Sequence, residues 1–159
     1  MNQNDELPLS LRAAYHGLHR RSETAFAQYG ATADQFVLLA TLARGDALTQ
    51  RELAARMPSD PSTVRAMLLL LEKRGLIQRN THPTDGRART VALTKAGRRT
   101  FQQVWDAGQP IRDQMRSRLS PEEATMLVSL LRRVTESLAS IPPDTARMLV
   151  DNGSYESGL

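Results

Sequence analysis

Residues 49–80, TQRELAARMPSDPSTVRAMLLLLEKRGLIQRN, decide the fold. Thr49 suits a helix N-cap, and Glu52 stands three residues on, where its side chain can reach back to the cap N–H. The pattern predicts a helix over 50–57 that buries Leu53, Ala54 and Met57. Pro58-Ser59-Asp60-Pro61 stops this helix and starts another. Ser59 or Asp60 can cap it, and Pro61 fits the first helical position, where a missing N–H costs nothing. The second helix runs to Arg74 and ends at Gly75. At about 100° per residue, Val64, Met67, Leu68 and Leu71 share one face, with Ser62, Arg65, Ala66, Leu69 and Lys73 on the other. Two short helices with a tight connection, the second polar at its start, outline a helix-turn-helix.

After Gly75 the apolar period shortens to about two residues, the signature of strands. Leu76–Asn80 and Thr90–Thr94 pair as a hairpin, and the segment His82–Arg89 between them holds a proline, Asp85-Gly86, Arg87 and Arg89. A basic hairpin directly after the second helix makes the motif a winged one. Upstream, Leu7, Leu11, Ala14, Leu18, Ala25 and Tyr29 mark an amphipathic helix over 7–29 closed by Gly30, and a shorter helix covers 33–43 before Arg44-Gly45-Asp46. Downstream, Thr94 caps a long helix over 95–119 that carries Phe101, Val104, Trp105, Ile111 and Met115 and bends at Gly108 and Pro110. Ser120-Pro121-Glu122-Glu123 opens a last helix ending near Ala139. The expected fold is mainly α with a small β-hairpin wing. A winged helix-turn-helix domain over 33–94 is flanked by a helical region of 7–29 and 95–139, and 140–159 form a polar tail.

The whole-chain numbers are consistent with this. The 159 residues suffice for one domain, or two small lobes sharing a core. The chain has no cysteine, which removes disulfides, thiolate metal sites and cysteine nucleophiles. No apolar run is long enough for a membrane span and no secretory signal opens the chain, so a cytoplasmic location is expected. The net charge is +4, and it is unevenly placed: 44–99 hold 12 Lys+Arg against 5 Asp+Glu, leaving 9 against 12 elsewhere. A basic middle between mildly acidic ends points to an anionic partner, nucleic acid first.

In order along the chain, Thr49-Gln50-Arg51-Glu52-Leu53-Ala54, Ser62-Thr63-Val64, Leu71–Arg79, the wing Asp85-Gly86-Arg87-Ala88, the exit Val91–Arg98 and the late Leu119–Glu123 resemble the MarR family of bacterial winged helix-turn-helix transcription regulators. Helix order and length agree over 7–139. One departure is Gly86, where the family often has the first arginine of Asp-Arg-Arg; Arg87 keeps the position of the tip arginine.

The resemblance implies a DNA-binding regulator of repressor type, a homodimer built from the N- and C-terminal helices, and a pseudo-palindromic operator on double-stranded DNA. In the winged-helix reading the helix from Pro61 enters a major groove with Ser62, Thr63, Arg65 and Ala66 facing bases. Of these only Arg65 can read guanine bidentately; otherwise it meets phosphate or solvent. Thr49, Gln50 and Arg51 open the preceding helix, whose free N–H groups suit a phosphate. Arg87 reaches a minor groove; Arg89 either joins it or pairs with Asp85 to hold the hairpin closed. Asp85 orders the loop.

Many members of the family bind a small effector, often an aromatic carboxylate, between the dimer helices and the winged domain. Tyr15, His16, His19 and Arg20 are the one cluster suited to this role, His16 and Arg20 lying one helical turn apart; the competing reading is a solvated face or a dimer contact. Trp105 and Phe101 read as core or interface. No metal-ligand set and no cofactor motif is present, and neither is a phosphate loop, a metalloprotease helix or a nucleophile elbow, so an enzyme is not expected. The rival reading is a winged helix used for protein–protein contact. The arginines at 65, 87 and 89 argue for DNA.

Overall fold

The structure, a computed structural model, describes residues 3–45 and 48–140. The chain divides into two compact units, Met1–Asp113 and Gln114–Leu159. The tail assigned to 140–159 lies outside the described residues apart from Ser140.

In the first unit α1 (Gln3–Phe26) starts before the predicted Leu7, with Pro8 inside it. Pro8 is the sixth residue of the helix, past the first turn where a missing N–H costs nothing, so it forfeits one i→i−4 hydrogen bond to Asn4. A 3₁₀ turn, Ala27–Tyr29, follows and closes at Gly30, whose φ of 65° is a left-handed conformation that glycine adopts without a Cβ clash. Helix α2 (Ala33–Ala43) has the predicted bounds. Thr32 caps it in a reciprocal box with Gln35, and Glu23 of α1 accepts the Ala33 N–H at 2.6 Å. That bond fixes α1 against the start of α2.

Helices α3 (Gln50–Arg56) and α4 (Pro61–Lys73) start where predicted and each end one residue before the predicted Met57 and Arg74; Gly75, with φ 70°, turns the chain after α4. The wing strands β2 (Ile77–Thr81) and β3 (Arg89–Leu93) are each offset by one residue from the predicted bounds. A two-residue strand, β1 (Leu48–Thr49), completes an antiparallel sheet of order β1-β3-β2. It pairs Leu48 with Val91 and Thr49 with Thr90, so the residue that caps α3 is anchored to the wing. Two residues are too few to show a period, and β1 has no signature in the sequence.

The main core gathers Leu38, Leu39 and Leu42 of α2, Leu53 of α3, Val64, Leu68 and Leu71 of α4, and Val91 and Leu93 of β3. The predicted inner face of α4 is buried throughout. A smaller cluster holds Phe26, Ala31 and Val104, with Phe36 packed beside it. The Phe36 ring lies 5.1 Å from Phe26 and 6.1 Å from Phe101. These rings join α1, α2 and α5 (Lys95–Ala107).

The helix predicted over 95–119 is two helices, α5 and α6 (Gln109–Arg116), separated at Gly108. Gly108 is buried; a Cβ there would meet the Arg112 guanidinium at 2.9 Å, the movable end of a side chain, and would make only ordinary contact with the Phe26 ring at 3.4 Å. In the second unit α7 (Pro121–Ala139) has the predicted bounds and a Ser120–Glu123 capping box.

Candidate nucleic-acid interface

The positions of the candidate residues follow from two helix caps and one turn. At α4, Asp60 is the N-cap: its carboxylate accepts the Thr63 N–H at 2.9 Å and the Thr63 hydroxyl at 2.5 Å. The Ser62 hydroxyl donates to the same carboxylate. Hydrogen bonds from Ser62, then from Thr63, hold the Asp60 carboxyl far below the usual carboxylate range. Beyond this cap Ser62, Thr63, Arg65 and Ala66 are all exposed, while Val64 and Met67 turn inward. Arg65 has no hydrogen-bond or ion-pair partner among the described residues. Leu69 and Leu70 are also exposed on this helix.

At α3, Thr49 accepts the Glu52 N–H at 3.2 Å and Glu52 accepts the Thr49 N–H at 2.8 Å. The backbone N–H and then the hydroxyl of Thr49 lower the Glu52 pKa. Gln50, Arg51, Ala54, Ala55 and Pro61 line one shallow groove, which puts the polar start of α3 beside the first residue of α4. Arg51 is exposed.

The wing tip is an ordered turn. Asp85 accepts the Arg87 N–H at 3.0 Å through its carboxylate, and its carbonyl accepts the Ala88 N–H at 3.1 Å. Asp85 therefore shapes the loop, as the sequence predicted. His82 Nδ1 accepts the N–H groups of Thr84 and Asp85, each at 3.2 Å, a role the sequence analysis did not assign. Arg87 is exposed at the tip. Arg89 does not pair with Asp85: its guanidinium donates to Thr81 Oγ1 at 2.8 Å, across the last β2·β3 pair. The strand register places these two side chains opposite each other at the sheet's end, while Asp85 is occupied in the turn.

Arg79 and Glu72 are further residues that sequence reasoning passed over. Arg79 Nε on β2 donates to both Glu72 oxygens on α4 at 3.2 Å, and another of its nitrogens donates to Gln50 Oε1 on α3 at 3.3 Å. This fork joins the wing to both helices of the motif, and Gln50 keeps its amide N–H groups for an outside acceptor. Their separation in sequence hid the contact. Arg74 is turned elsewhere, donating to the Gly30 carbonyl at 2.6 Å.

Tyr15, His16, His19 and Arg20 lie on α1, with the Tyr15 ring centroid 5.6 Å from both imidazoles. His19 approaches Glu23 at 3.9 Å. Arg20 lines an open groove with Arg21, Gly17, Thr24, Ala25, Ala107, Pro110 and Ile111; the other three do not line it. Among the described residues no group of three or more His, Asp and Glu is arranged to hold a metal ion. No helix among them is long and apolar enough to cross a membrane.

Residues 31–88, from the start of α2 to the wing tip, match the model of the MarR family. The chain is 27% identical over 132 residues to the HTH-type transcriptional repressor MdtR of Bacillus subtilis, covering 83% of this chain and 85% of that one. Its fold is similar to that of a mutant MarR from E. coli complexed with operator DNA, with a TM-score of 0.71 and 25% identity over 84% of this chain and 99% of that one. It is likewise similar to BpsR of Bordetella bronchiseptica, whose DNA binding is regulated by 6-hydroxynicotinic acid, with a TM-score of 0.73 and 26% identity over 85% and 96% of the two chains. A winged helix with a basic tip, an outward polar face on its second helix, and this family match lead to one conclusion: residues 31–88 are a winged helix-turn-helix of the MarR family, similar to those of DNA-binding transcription regulators.

Proposed function

We propose that the protein is a homodimeric repressor that binds a pseudo-palindromic operator and releases it on binding a small anionic, aromatic effector. The observation that carries the operator reading is the outer face of α4: Ser62, Thr63, Arg65 and Ala66 are exposed beyond a fully formed cap, and Arg65 has no partner among the described residues. A helix with this face fits a major groove, where Arg65 donates to guanine O6 and N7. Gln50 and Arg51 take phosphate at the start of α3, while Thr49, expected to share this role, donates both its N–H and its hydroxyl to Glu52 and serves as the cap; Arg87 enters the flanking minor groove. Arg89 supports the base of the wing through Thr81 and adds to its positive field.

Dimerisation is supported by apolar surface. No residue of α7 is buried, and it exposes Met126, Leu127, Val128, Leu130, Leu131 and Leu138. On α1, Leu7, Leu9 and Leu18 are exposed. Helices 7–29 and 95–139 are accordingly assigned to the dimer, with half-sites roughly 10 bp apart centre to centre. The similarity to the repressor MdtR supports repression, and the regulation of BpsR by 6-hydroxynicotinic acid supports an effector. Tyr15, His16, His19 and Arg20 supply stacking and an anion partner for such a molecule.

The test is binding to the DNA flanking the protein's own gene, titrated against salt, with Arg65→Ala and Arg87→Ala in parallel. Tight sequence-dependent binding that weakens steeply with salt and is lost in both variants supports the reading. Equal weak binding to all DNA, unchanged by either substitution, refutes it and favours a protein partner for the winged helix.

A further inference from the structure

We propose that Asp60 sets the hydrogen-bonding polarity of Ser62 and Thr63, so that α4 reads amino groups, adenine N6 or cytosine N4, at the base positions these hydroxyls face. The inference rests on the reading of α4 as the base-contacting helix and deepens it.

A serine or threonine hydroxyl has one proton and two lone pairs, so it can donate to a base or accept from one. That freedom makes such residues poor discriminators, able to pair with either kind of base edge. Here both protons are committed. The Ser62 hydroxyl donates to Asp60 Oδ1, and the Thr63 hydroxyl donates to Oδ2 at 2.5 Å, while the Thr63 N–H donates to Oδ1 at 2.9 Å. An ionised carboxylate only accepts, so neither hydroxyl can reverse its bond to Asp60. The donors around Asp60 keep it ionised throughout the neutral range. Turning either proton toward a base would break a charge-assisted hydrogen bond, about twice as strong as the neutral one gained.

What remains for DNA is a pair of exposed hydroxyl oxygens that can only accept. In the major groove the donors are adenine N6 and cytosine N4, whereas guanine O6 and N7 and thymine O4 accept. Ser62 and Thr63 therefore favour amino bases on the strand they face and reject keto bases, against which two acceptors would meet. Arg65 is donor-only and has the opposite preference. The outer face of one helix thus presents acceptors at its first turn and a donor one step on. Asp60 acts as a positioning residue, without touching a base.

The experiment uses the full chain, selecting from a randomised duplex pool with the wild type, Ser62→Ala, Thr63→Val and Asp60→Asn. Asparagine caps helices about as well as aspartate, so Asp60→Asn keeps the fold; its amide replaces one acceptor oxygen by a donor and frees a hydroxyl proton. Positions whose preference relaxes in Ser62→Ala or Thr63→Val are those read by the hydroxyls. At those pairs, purine in place of adenine or pyrimidin-2-one in place of cytosine removes the amino group. Wild-type binding should fall about three- to tenfold per amino group removed. The Ser62→Ala and Thr63→Val variants should lose nothing further at their own position, and Asp60→Asn should lose less than the wild type and accept keto bases there. Replacing guanine by 2-aminopurine at the same pairs, which removes O6, should leave wild-type binding unchanged. Weakening by 2-aminopurine but not by amino removal overturns the proposal, as does a base preference identical in Asp60→Asn and the wild type. An enriched operator with no position dependent on Ser62 or Thr63 overturns this inference alone. A pool that enriches nothing overturns the DNA reading and the inference with it.

Discussion

Replacing Gly97 by alanine tests the corner on which the wing is mounted. Gly97 is in the first turn of α5, and a Cβ built there would stand 1.9 Å from the Leu76 carbonyl oxygen and 2.9 Å from its carbon. An ordinary C···O contact is about 3.3 Å, so backbone on one side must retreat by more than ~1 Å. Neither side is free to do so. The Leu76 carbonyl accepts the Thr94 N–H at 3.0 Å, the Thr94 hydroxyl donates to the Gly75 carbonyl at 2.7 Å, and that same hydroxyl accepts the Gly97 N–H at 3.0 Å. Overpacking of this kind costs about 1–3 kcal/mol. Losing the Thr94 cap adds about 1 kcal/mol, and the better helix propensity of alanine returns about as much. The net expectation is a loss of about 1–3 kcal/mol, toward the upper end because the clash is with backbone. Urea denaturation followed by circular dichroism at fixed protein concentration measures it, with Gly86→Ala as the control, since nothing lies within 4 Å of a Cβ at that position. A Gly97→Ala midpoint equal to or above the wild type would refute the reasoning, because helix propensity would then outweigh the contact and the corner would have to be soft.

Two further outcomes follow from the same geometry. Gly86→Arg, which restores the arginine the family often has at the wing, meets no neighbouring atom at its Cβ; folding stability should stay within about 0.5 kcal/mol. DNA binding should tighten at low salt, with the slope of log K against log salt steeper by about one, and an unchanged slope would show that the wing tip does not approach phosphate. The second concerns acid. Asp60, Glu52 and Glu122 all have folded pKa values below their ordinary 3.8, 4.5 and 4.5. A lowered folded pKa means stability that is fully present above the ordinary value and lost as pH falls through the lowered one. Urea midpoints should therefore hold level down to about pH 5 and fall below that. Asp60→Asn should show a shallower acid limb, and a limb of equal slope would show that the cap is not formed in solution.

Local signals were legible wherever one short segment contains its own cause. Thr49 and Glu52 announce the start of α3, Asp60 and Pro61 that of α4, and Ser120, Pro121 and Glu123 that of α7; each cap closes within four residues. The buried stripe Val64, Met67, Leu68, Leu71 is equally local, because helical period alone turns those side chains to one side. The wing strands were visible as a change of period and missed by a single residue at their ends, since hydrogen bonding and not hydropathy sets where pairing stops.

Local rules account for the set of elements and their outward chemistry: a capped polar helix with Arg65 outside, a basic hairpin, and flanking amphipathic helices. These depend on propensity, period and capping, which act over a few residues. Which distant groups meet depends on how those elements pack. That packing brought β1 onto β3, joined Arg79 to Glu72 and Gln50, and gave Arg89 to Thr81 instead of Asp85. The polarity of Ser62 and Thr63 belongs with these although it spans only four residues: a cap is a pattern of residue types, but which oxygen receives which proton depends on side-chain rotamers that only the folded backbone selects.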